Sequence, residues 1–373
     1  MSQPAVVFGG PSPEHDVSVL TGLQAARALI RGGLQVEAIY WTKTAEFYAV
    51  DPGLEAQDFL GGVPKAAREL RLVACPGGGF VGAKVGLRGK DRTLELSAVV
   101  NCCHGGPGED GTLQAALDLA GLAYTGPTAA GAALGMDKVA FGGAVAEAGL
   151  PALPRWPLDG QRPGPAPEIQ GPYIVKPRFG GSSIGIEVVE DWDTAVSYAR
   201  TGVHQRRGAV VEPYRGSSFD LNVAVRSWPD LQLSAIERPL RSQGSSEILG
   251  YQDKYLGGEG MLSAPRQLPA EIAEPLERAV RAAAETVAAV AQARGVARID
   301  FLVDGDEWYV NEINTIPGSL ARYLWVDPAP VEFARLLTDM IDEAVRRPAY
   351  RYDATGADGT ALRSAGTIAG KLG

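Results

Sequence analysis

The sequence contains little of what disulfide-rich, nucleic-acid-binding or membrane-spanning proteins are made from. Only three of its 373 residues are cysteine, and the adjacent pair Cys102 and Cys103 fits neither a disulfide framework nor a zinc-ligand spacing. The net charge is -9 and no block of lysine and arginine stands out, which argues against nucleic acid or a membrane surface as the main partner. No uninterrupted apolar run reaches the roughly 20 residues that a membrane span requires.

Two other signals are missing near the N-terminus. Residues 1–8 lack a basic segment followed by an apolar stretch, so we expect no signal peptide and a cytoplasmic location. The turn at 9–18 lacks the Gly-x-Gly-x-x-Gly spacing of dinucleotide-binding folds, which disfavours a Rossmann dehydrogenase. The hydrophobic content of 45% and the charged content of 21% are typical of a globular enzyme, and the length suits two or three α/β domains.

The N-terminal part of the chain alternates between strand and helix patterns. Strands are expected at 5–8, 36–40 and 98–101, and a helix over 17–30. The segment 43–95 is rich in glycine and proline, and we interpret it as an irregular insertion. Because ligands collect at the carboxyl ends of strands in open α/β sheets, the polar turns 9–18 and 104–112 are expected to share one site.

Two further units follow along the chain. In the first, we predict a helix at 136–147 and strands at 173–177 and 186–189 that are joined by a Gly/Ser-rich hairpin loop. The second holds an antiparallel sheet and a long helix near 270–293 with one apolar face. The Gly- and Ala-rich tail after residue 350 has weak periodicity and is expected to be poorly ordered.

The stretch from Arg298 to Gly318 predicts a β-hairpin that carries acidic and amide side chains. Glu312 and Asn314 are two residues apart and therefore point to the same face of a strand, and the hairpin can bring Asp300 beside them. Such a cluster suits hard divalent cations, which take oxygen ligands and share them with nucleotide phosphates. The alternative is a merely solvated acidic hairpin, which fits poorly with acids so closely flanked by apolar residues.

A Gly/Ser-rich loop and two lysines indicate an anion beside that hairpin. The glycines of 180–185 let the backbone approach an anion closely, although such a loop is often only a turn. Lys176 lies in an apolar strand, where a lysine normally has an anionic partner. Lys138 begins a helix and would on its own be an ordinary solvated lysine. Together with the acidic hairpin, these features predict a nucleoside triphosphate that is held by lysines and bridged by magnesium.

Several motifs, in order, resemble those of the D-alanine–D-alanine ligase family. They are Gly9-Gly-Pro-Ser-Pro-Glu-His-Asp-Val-Ser18, His104-Gly-Gly-Pro-Gly-Glu-Asp-Gly111, Met136-Asp-Lys138, Val175-Lys-Pro177 with Gly181-Ser-Ser183, and Arg298-Ile-Asp300 through to Gly318. The similarity runs from residue 5 to residue 345 and is weakest in the 43–95 region and the tail. Several ordered motifs that match together are far more specific than any one of them.

The resemblance implies a three-domain ATP-grasp fold, of the α/β and α+β class, with ATP between the central and C-terminal subdomains. The expected bounds are 1–126 for a Rossmann-like N-terminal domain that binds the first amino acid, 127–212 for the central subdomain, 213–349 for the C-terminal subdomain with the metal site and a lid loop, and 350–373 for the tail. The implied partners are small amino acids and ATP, without nucleic acid or membrane, and the family tends to form homodimers.

The implied activity is an ATP-dependent, ADP-forming ligation of a carboxylate to an amine. ATP would phosphorylate the carboxylate of one D-alanine, and the amine of a second would attack the acyl phosphate. The products would be phosphate, ADP and D-alanyl-D-alanine for peptidoglycan synthesis. ATP and two Mg²⁺ ions, with Mn²⁺ as a substitute, are the implied cofactors.

By this resemblance, most of the nucleotide site comes from the middle of the chain. Lys138 and Lys176 match phosphate-holding lysines, and Ser182 and Ser183 match the loop that closes over the transferred phosphoryl group. The other implied contacts are Glu212 with Tyr214 at the adenine hinge, Asp220 near the ribose, Lys254 in the lid, and the metal ligands Asp300, Glu312 and Asn314.

The resemblance also implies residues that bind the two amino acids. Glu14 is expected to face the ammonium group of the first amino acid, with Val17 and Ser18 beside it. Arg298 and the amide of Gly318 correspond to an oxyanion hole for the tetrahedral intermediate. The remaining implied substrate or catalytic residues are His104, Ser182, Lys254, Tyr255, Ser319 and Tyr323. Taken alone, the histidine would more often be a satisfied structural residue.

The segment 251–255 resembles the mobile lid of the family, which keeps the acyl phosphate away from water. Lys254 and Tyr255 match the dipeptide-forming type and not the type that makes a D-alanine–D-lactate ester. Without the resemblance, an ordinary exposed Lys-Tyr turn would explain this segment equally well.

The chain departs from the family pattern at two positions. Tyr323 falls where the usual ligase has a serine that helps to hold the carboxylate of the acceptor, so a larger phenol reshapes the second-substrate pocket. Pro213 replaces a lysine that usually contacts adenine, and proline offers no backbone N–H. The first departure favours an alternative, a related ATP-grasp ligase that joins other amino acids in a specialised pathway. A non-catalytic nucleotide-binding protein is disfavoured because the phosphate lysines and metal ligands are all present.

Overall fold

Three β-sheets with packed helices make up the chain, as the computed structural model shows for residues 2–82, 92–240, 265–350, 353–365 and 367–368. The first sheet has seven strands, the second four and the third five. The mixture of parallel and antiparallel pairing agrees with the expected α/β and α+β class. None of the helices in these ranges is long and apolar enough to cross a membrane.

The first sheet is parallel on one side and antiparallel on the other. Its strands are β1 (Gln3–Gly9), β2 (Glu37–Trp41), β3 (Phe47–Val50), β4 (Arg68–Val73), β5 (Gly79–Gly82), β6 (Arg92–Thr93) and β7 (Leu96–Asn101). β1 lies parallel to β2 and β7, and β2 through β6 pair in antiparallel fashion. The prediction of an irregular insertion at 43–95 was therefore wrong. β4 is mostly exposed, and β3 and β5 are buried but only four residues long, so none of them gives a pattern long enough to predict a strand.

The first helix, α1 (His15–Arg31), connects β1 to β2 and buries one face on the sheet. The helix is confirmed, and Val17, Leu23 and Ala26 of the predicted apolar face are buried, whereas Leu20 and Ile30 are exposed. Gly22 lies on that face, and a Cβ atom at this position would come within 2.2 Å of the Phe8 Cβ atom. The close approach of α1 to β1 therefore requires a glycine here.

The next helices are short and lead from the first sheet to the second. They are α2 (Gly106–Glu109), α3 (Thr112–Ala120), α4 (Ala129–Met136) and α5 (Lys138–Glu147). The Asp137 side chain accepts hydrogen bonds from the backbone N–H groups of Val139 and Ala140. This N-cap makes α5 begin at Lys138, two residues later than the predicted start, and satisfies two otherwise unpaired donors.

The second sheet has the strand order β10-β9-β11-β8 and is antiparallel throughout. Its elements are β8 (Trp156–Leu158), β9 (Tyr173–Pro177), β10 (Glu187–Val189), α6 (Trp192–Thr201) and β11 (Ala209–Pro213). The Gly/Ser-rich loop joins β9 to β10, which confirms the predicted hairpin. Lys176 lies opposite Val210, so Glu212, two residues further on, shares its face of the sheet.

The third sheet has the order β14-β13-β12-β15-β16 and is also antiparallel. Its elements are β12 (Phe219–Arg226), β13 (Gln232–Pro239), β14 (Arg266–Gln267), α7 (Glu274–Val290), β15 (Val296–Asp304) and β16 (Glu307–Asn314). The helix α7 is the predicted long helix near 270–293. β15 and β16 form the predicted acidic hairpin, and the chain turns between Asp304 and Glu307.

After the third sheet the chain returns to the first sheet through one helix. A 3₁₀ segment (Gly318–Leu324) is followed by α8 (Phe333–Arg346) and a short exposed helix, α9 (Thr360–Ala365). Leu336, Leu337 and Met340 of α8 belong to the same apolar cluster as Phe8 and Leu29. The first and third sheets therefore share one core.

Replacement of Gly22 by alanine should destabilise the protein by about 1–3 kcal/mol, because the added methyl group overlaps Phe8. The matched control is Gly143→Ala in α5, where a Cβ atom meets nothing within 4 Å. That change should be neutral or stabilising by up to about 1 kcal/mol. Thermal unfolding midpoints of the two variants test this, and a wild-type midpoint for Gly22→Ala would contradict the packing.

Candidate functional site

A single cleft gathers side chains from all three sheets, and most of the residues that the sequence singled out line it. These are Glu14, His104, Lys138, Lys176, Ser182, Ser183, Glu212, Tyr214, Asp220, Arg298, Asp300, Glu312, Asn314, Gly318 and Tyr323. Val17 and Ser18 are buried in α1 behind this lining, and the backbone N–H of Ser319 bonds to Thr21 Oγ1 at 3.1 Å. Lys254 and Tyr255 fall within 241–264, outside the described residues.

The acidic hairpin brings its three oxygen-bearing side chains together. Asp300 lies directly opposite Glu312 across the β15–β16 pair, and Asn314 Nδ2 donates to Asp300 Oδ2 at 3.0 Å. Arg298 holds both oxygens of Asp300, through Nε at 2.6 Å and Nη2 at 2.7 Å. Lys138 Nζ lies 3.6 Å from Glu312 Oε2. The Asp300 and Glu312 carboxylates are thus each paired with a cationic side chain that also lines the cleft.

The donor set of this hairpin fits Mg²⁺, which takes oxygen ligands and usually one or two carboxylates together with substrate phosphates. No group of three or more His, Cys, Asp or Glu side chains clusters within the ranges that the structure describes. The hairpin therefore suits a cation that is shared with phosphate oxygens and not an all-protein metal cage.

The lysine of β9 is held by a buried carboxylate. Lys176 Nζ lies 2.7 Å from Glu212 Oε2, and Arg155 Nε lies 3.0 Å from the other oxygen. Burial alone would raise the pKa of Glu212, but the two cations hold that pKa below its ordinary value. Glu212 is therefore a buried anion that fixes the direction of Lys176.

Arg155 is a residue that sequence reasoning missed. Its Nη1 donates to the carbonyl oxygen of Lys138 at 2.7 Å, and its Nη2 donates to the carbonyl oxygen of Asn311. It thereby links α5 and β16 to Glu212. A lone arginine before a short strand carries no pattern in the sequence, so only the tertiary structure reveals it.

The Gly/Ser-rich loop lies over the turn that follows β1. Ser182 Oγ donates a hydrogen bond to Glu14 Oε1, and Lys138 Nζ donates to the carbonyl oxygen of Gly180. Ser182 and Ser183 adopt left-handed backbone conformations, with φ of 53° and 57°. Such conformations cost non-glycine residues free energy and concentrate at ligand-binding loops.

His104, which follows β7, is neutral, and both of its ring nitrogens form hydrogen bonds within the protein. Its Nδ1 donates to the carbonyl oxygen of Ile316 at 2.7 Å, so its Nε2 accepts from Thr21 Oγ1, also at 2.7 Å. Burial lowers the pKa of His104 to about 4. Thr21, which sequence reasoning did not single out, also accepts the Ser319 N–H. The histidine and the threonine thus hold the segment that carries Gly318.

Glu109 forms a second connection between the segment after β7 and the segment after β16. It lies in the same motif as His104 but was not singled out from the sequence. It accepts hydrogen bonds from the backbone N–H groups of Gly105 and Ile316, both at 2.8 Å. Burial, and secondly the Glu14 carboxylate, raise the pKa of Glu109 to about 7. The first and third sheets therefore meet through a carboxyl group that titrates near neutral pH.

Family models described as D-ala D-ala ligase N-terminus and C-terminus match residues 3–127 and 166–342. A D-alanine–D-alanine ligase of Rhodococcus opacus (strain B4) is 31% identical, over 93% of this chain and 99% of the relative. One of Mycobacterium tuberculosis (strain CDC 1551 / Oshkosh) is 32% identical, over 92% and 95%.

Solved structures share the fold. The D-alanine–D-alanine ligase of Helicobacter pylori superposes with a TM-score of 0.73 at 24% identity, covering 94% of this chain and 100% of that one. The VanG D-Ala:D-Ser ligase of Enterococcus faecalis superposes with a TM-score of 0.72 at 24% identity, covering 92% and 99%. At these identities the likeness shows the fold alone.

The raised pKa of Glu109 makes the stability of the protein depend on pH. Between pH 4.5 and about 7 the folded protein holds a proton that the unfolded chain releases, so wild-type stability falls as pH rises through this window. Glu109→Gln removes the titration, and the wild type should lose stability relative to this variant across the window. Thermal midpoints below and above the window, with exposed Glu307→Gln as control, measure this. A difference that is independent of pH would contradict it.

Proposed function

The chain belongs to the D-alanine–D-alanine ligase family, and we propose that it joins two D-alanine molecules into D-alanyl-D-alanine with cleavage of ATP to ADP and phosphate. The observation that carries the proposal is the cleft in which two buried lysines, the acidic hairpin and Arg298 meet. The product is a building block of peptidoglycan. We also propose the domain bounds 1–126, 127–212, 213–349 and 350–373.

We propose that the triphosphate lies between the second and third sheets. Lys138 and Lys176 would neutralise its oxygens, and Ser182 and Ser183 would close over the transferred group. Glu212, Tyr214 and Asp220 would contact the nucleoside, as the family resemblance implies. The buried Glu212 carboxylate would also fix the position of Lys176 beside the phosphates.

Asp300, Glu312 and Asn314 would hold Mg²⁺ together with phosphate oxygens. When bound, the cation would neutralise charge that develops on the phosphoryl group. Arg298 and Lys138, which contact these acids directly, would then lie beside the reacting oxygens. Two ions, and Mn²⁺ as a substitute, are carried over from the family.

The first D-alanine would lie over the turns after β1 and β7. Glu14 would pair with its ammonium group, while Val17, Ser18 and His104 form the wall behind it. A carboxylate oxygen attacks the γ-phosphorus of ATP, the bond to the β–γ bridging oxygen breaks, and ADP leaves. The acyl phosphate that results must be kept from water, a task we assign to Ser182 of the Gly/Ser-rich loop and to Lys254 and Tyr255 of the lid.

The second D-alanine, once its amine has lost a proton, attacks the acyl carbon. Negative charge then moves to the acyl oxygen, where Arg298 and the N–H of Gly318 would stabilise it. Collapse of the tetrahedral intermediate forms the peptide bond and expels phosphate. Ser319 and Tyr323, in the same 3₁₀ segment, would contact the acceptor. Ser319 is fixed by Thr21, which positions the oxyanion donor.

Location and assembly rest on the family alone. We propose that the enzyme works in the cytoplasm, where ATP is available, and that it forms a homodimer. A related ligase that joins other amino acids is the second candidate, and Tyr323 is the observation that favours it.

Incubation with ATP, Mg²⁺ and single or paired D- and L-amino acids tests the main proposal. ADP release and formation of D-alanyl-D-alanine with D-alanine alone are the expected results. Turnover with other pairs but none with D-alanine would replace the proposal by its second candidate.

Removal of a metal-binding carboxylate should abolish ligation. Glu312→Ala is expected to lower kcat/KM by at least about 100-fold, because the charge on the transferred phosphoryl group loses its counter-ion clamp. Glu307→Ala, on the exposed end of the same strand, should retain wild-type kcat/KM and serves as the control. Steady-state ADP release measures both, and equal activity of the two variants would refute the metal assignment.

A further inference from the structure

The cleft ends in a cluster of four polar side chains that come from distant parts of the chain. Tyr323 belongs to the 3₁₀ segment, Asn222 to β12, Glu237 to β13 and Arg266 to β14. All four line the same cleft as Arg298 and Gly318. The cluster therefore lines the cleft together with the two residues proposed for the oxyanion hole.

The ring of Tyr323 is contacted on its face by Arg266 and at its hydroxyl group by Glu237. The Arg266 guanidinium lies 4.7 Å from the ring centroid, within the range of a cation–π contact. The phenol oxygen lies 3.5 Å from Glu237 Oε2. Burial, and secondly the Glu237 carboxylate, raise the pKa of Tyr323, so the phenol stays protonated and remains a donor.

The two side chains that hold the ring are themselves fixed. Arg266 Nη1 lies 2.9 Å from Glu237 Oε1, and Asn222 Nδ2 donates to Glu237 Oε2 at 3.1 Å. Glu237 is 4% exposed, so displacement of its partners would leave a buried charge poorly compensated.

The remaining surface of Tyr323 packs into the shared core of the first and third sheets, beside Ile316 and Leu324. Only 7% of the residue is exposed. A ring that is fixed by the core, by a guanidinium and by a carboxylate cannot turn aside without breaking several contacts at once. It is therefore a rigid wall and not an adaptable one.

We propose that Tyr323, clamped by Arg266 and Glu237, limits the acceptor amino acid to the smallest side chains, those of D-alanine and glycine. This inference rests on the proposed function and specifies its second substrate. An acceptor with a longer side chain would have to displace the ring. The family likeness alone does not identify these residues, because Arg266 and Glu237 are brought to Tyr323 only by the strand order of the third sheet.

The test is competition between acceptors, with ATP and Mg²⁺ present. D-Alanine is supplied with glycine, D-2-aminobutyrate or D-valine, and the dipeptides are quantified by mass spectrometry. The wild type should discriminate against each added methylene by about 10- to 200-fold. Tyr323→Ser, which removes the ring, should reduce the preference for D-alanine over D-2-aminobutyrate by about tenfold or more.

Three further variants make the test specific. Tyr323→Leu shortens the wall while it keeps an apolar core residue, and it should relax the preference even if the serine variant does not fold. Tyr323→Phe keeps the ring and should keep the acceptor ratio, whatever it does to the absolute rate. Tyr198→Leu, a half-buried tyrosine of α6 in the second sheet's domain, controls for a general loss of rigidity.

Hydroxylamine in a parallel reaction traps the acyl phosphate of D-alanine and reports the first half of the reaction alone. Hydroxamate formation together with a relaxed acceptor ratio in the leucine or serine variant supports the proposal. Hydroxamate formation with an unchanged ratio in a folded variant would overturn the acceptor assignment and leave the proposed function intact. Absence of hydroxamate with the wild type would overturn both.

Discussion

Pairing of buried opposite charges is the interaction on which the cleft depends. Asp300 is held by Arg298, Glu212 by Lys176 and Arg155, and Glu237 by Arg266. A buried carboxylate without such a partner would cost several kcal/mol. Each pair also fixes the direction of a cation that lines the cleft. The same contacts that make the buried charges tolerable therefore arrange the site in advance.

The seam between the first and third sheets is held by a neutral histidine and by a carboxyl group that titrates near neutral pH. A neutral His104 joins Thr21 to the carbonyl of Ile316, and Glu109 accepts two backbone N–H groups. These bonds hold the segment that leads to Gly318. The amide proposed for the oxyanion is thus oriented by residues of a different sheet, over 200 positions away in the sequence.

Periodicity was sufficient to predict the acidic hairpin, because period-two spacing and a polar turn leave few alternatives for its register. It was not sufficient for the strands between 43 and 82, because β4 is mostly exposed and β3 and β5 are only four residues long. Arg155, Thr21 and the partners of Tyr323 could not be predicted, since each acts through contacts between distant segments. Nearly all the site residues predicted from the motifs that resemble a known family line one cleft. The roles of these residues rest on that resemblance.

The return of α8 to the first sheet has a consequence for biosynthesis. Leu336, Leu337 and Met340 complete the core around Phe8 and Leu29, so the N-terminal sheet stays partly uncovered while the ribosome makes the following 300 or so residues. The second sheet, whose own core is drawn from residues 156–211, can close much earlier. The part of the enzyme that is translated first is thus among the last to be finished, and a chain cut short before α8 would leave it a target for chaperones and proteases.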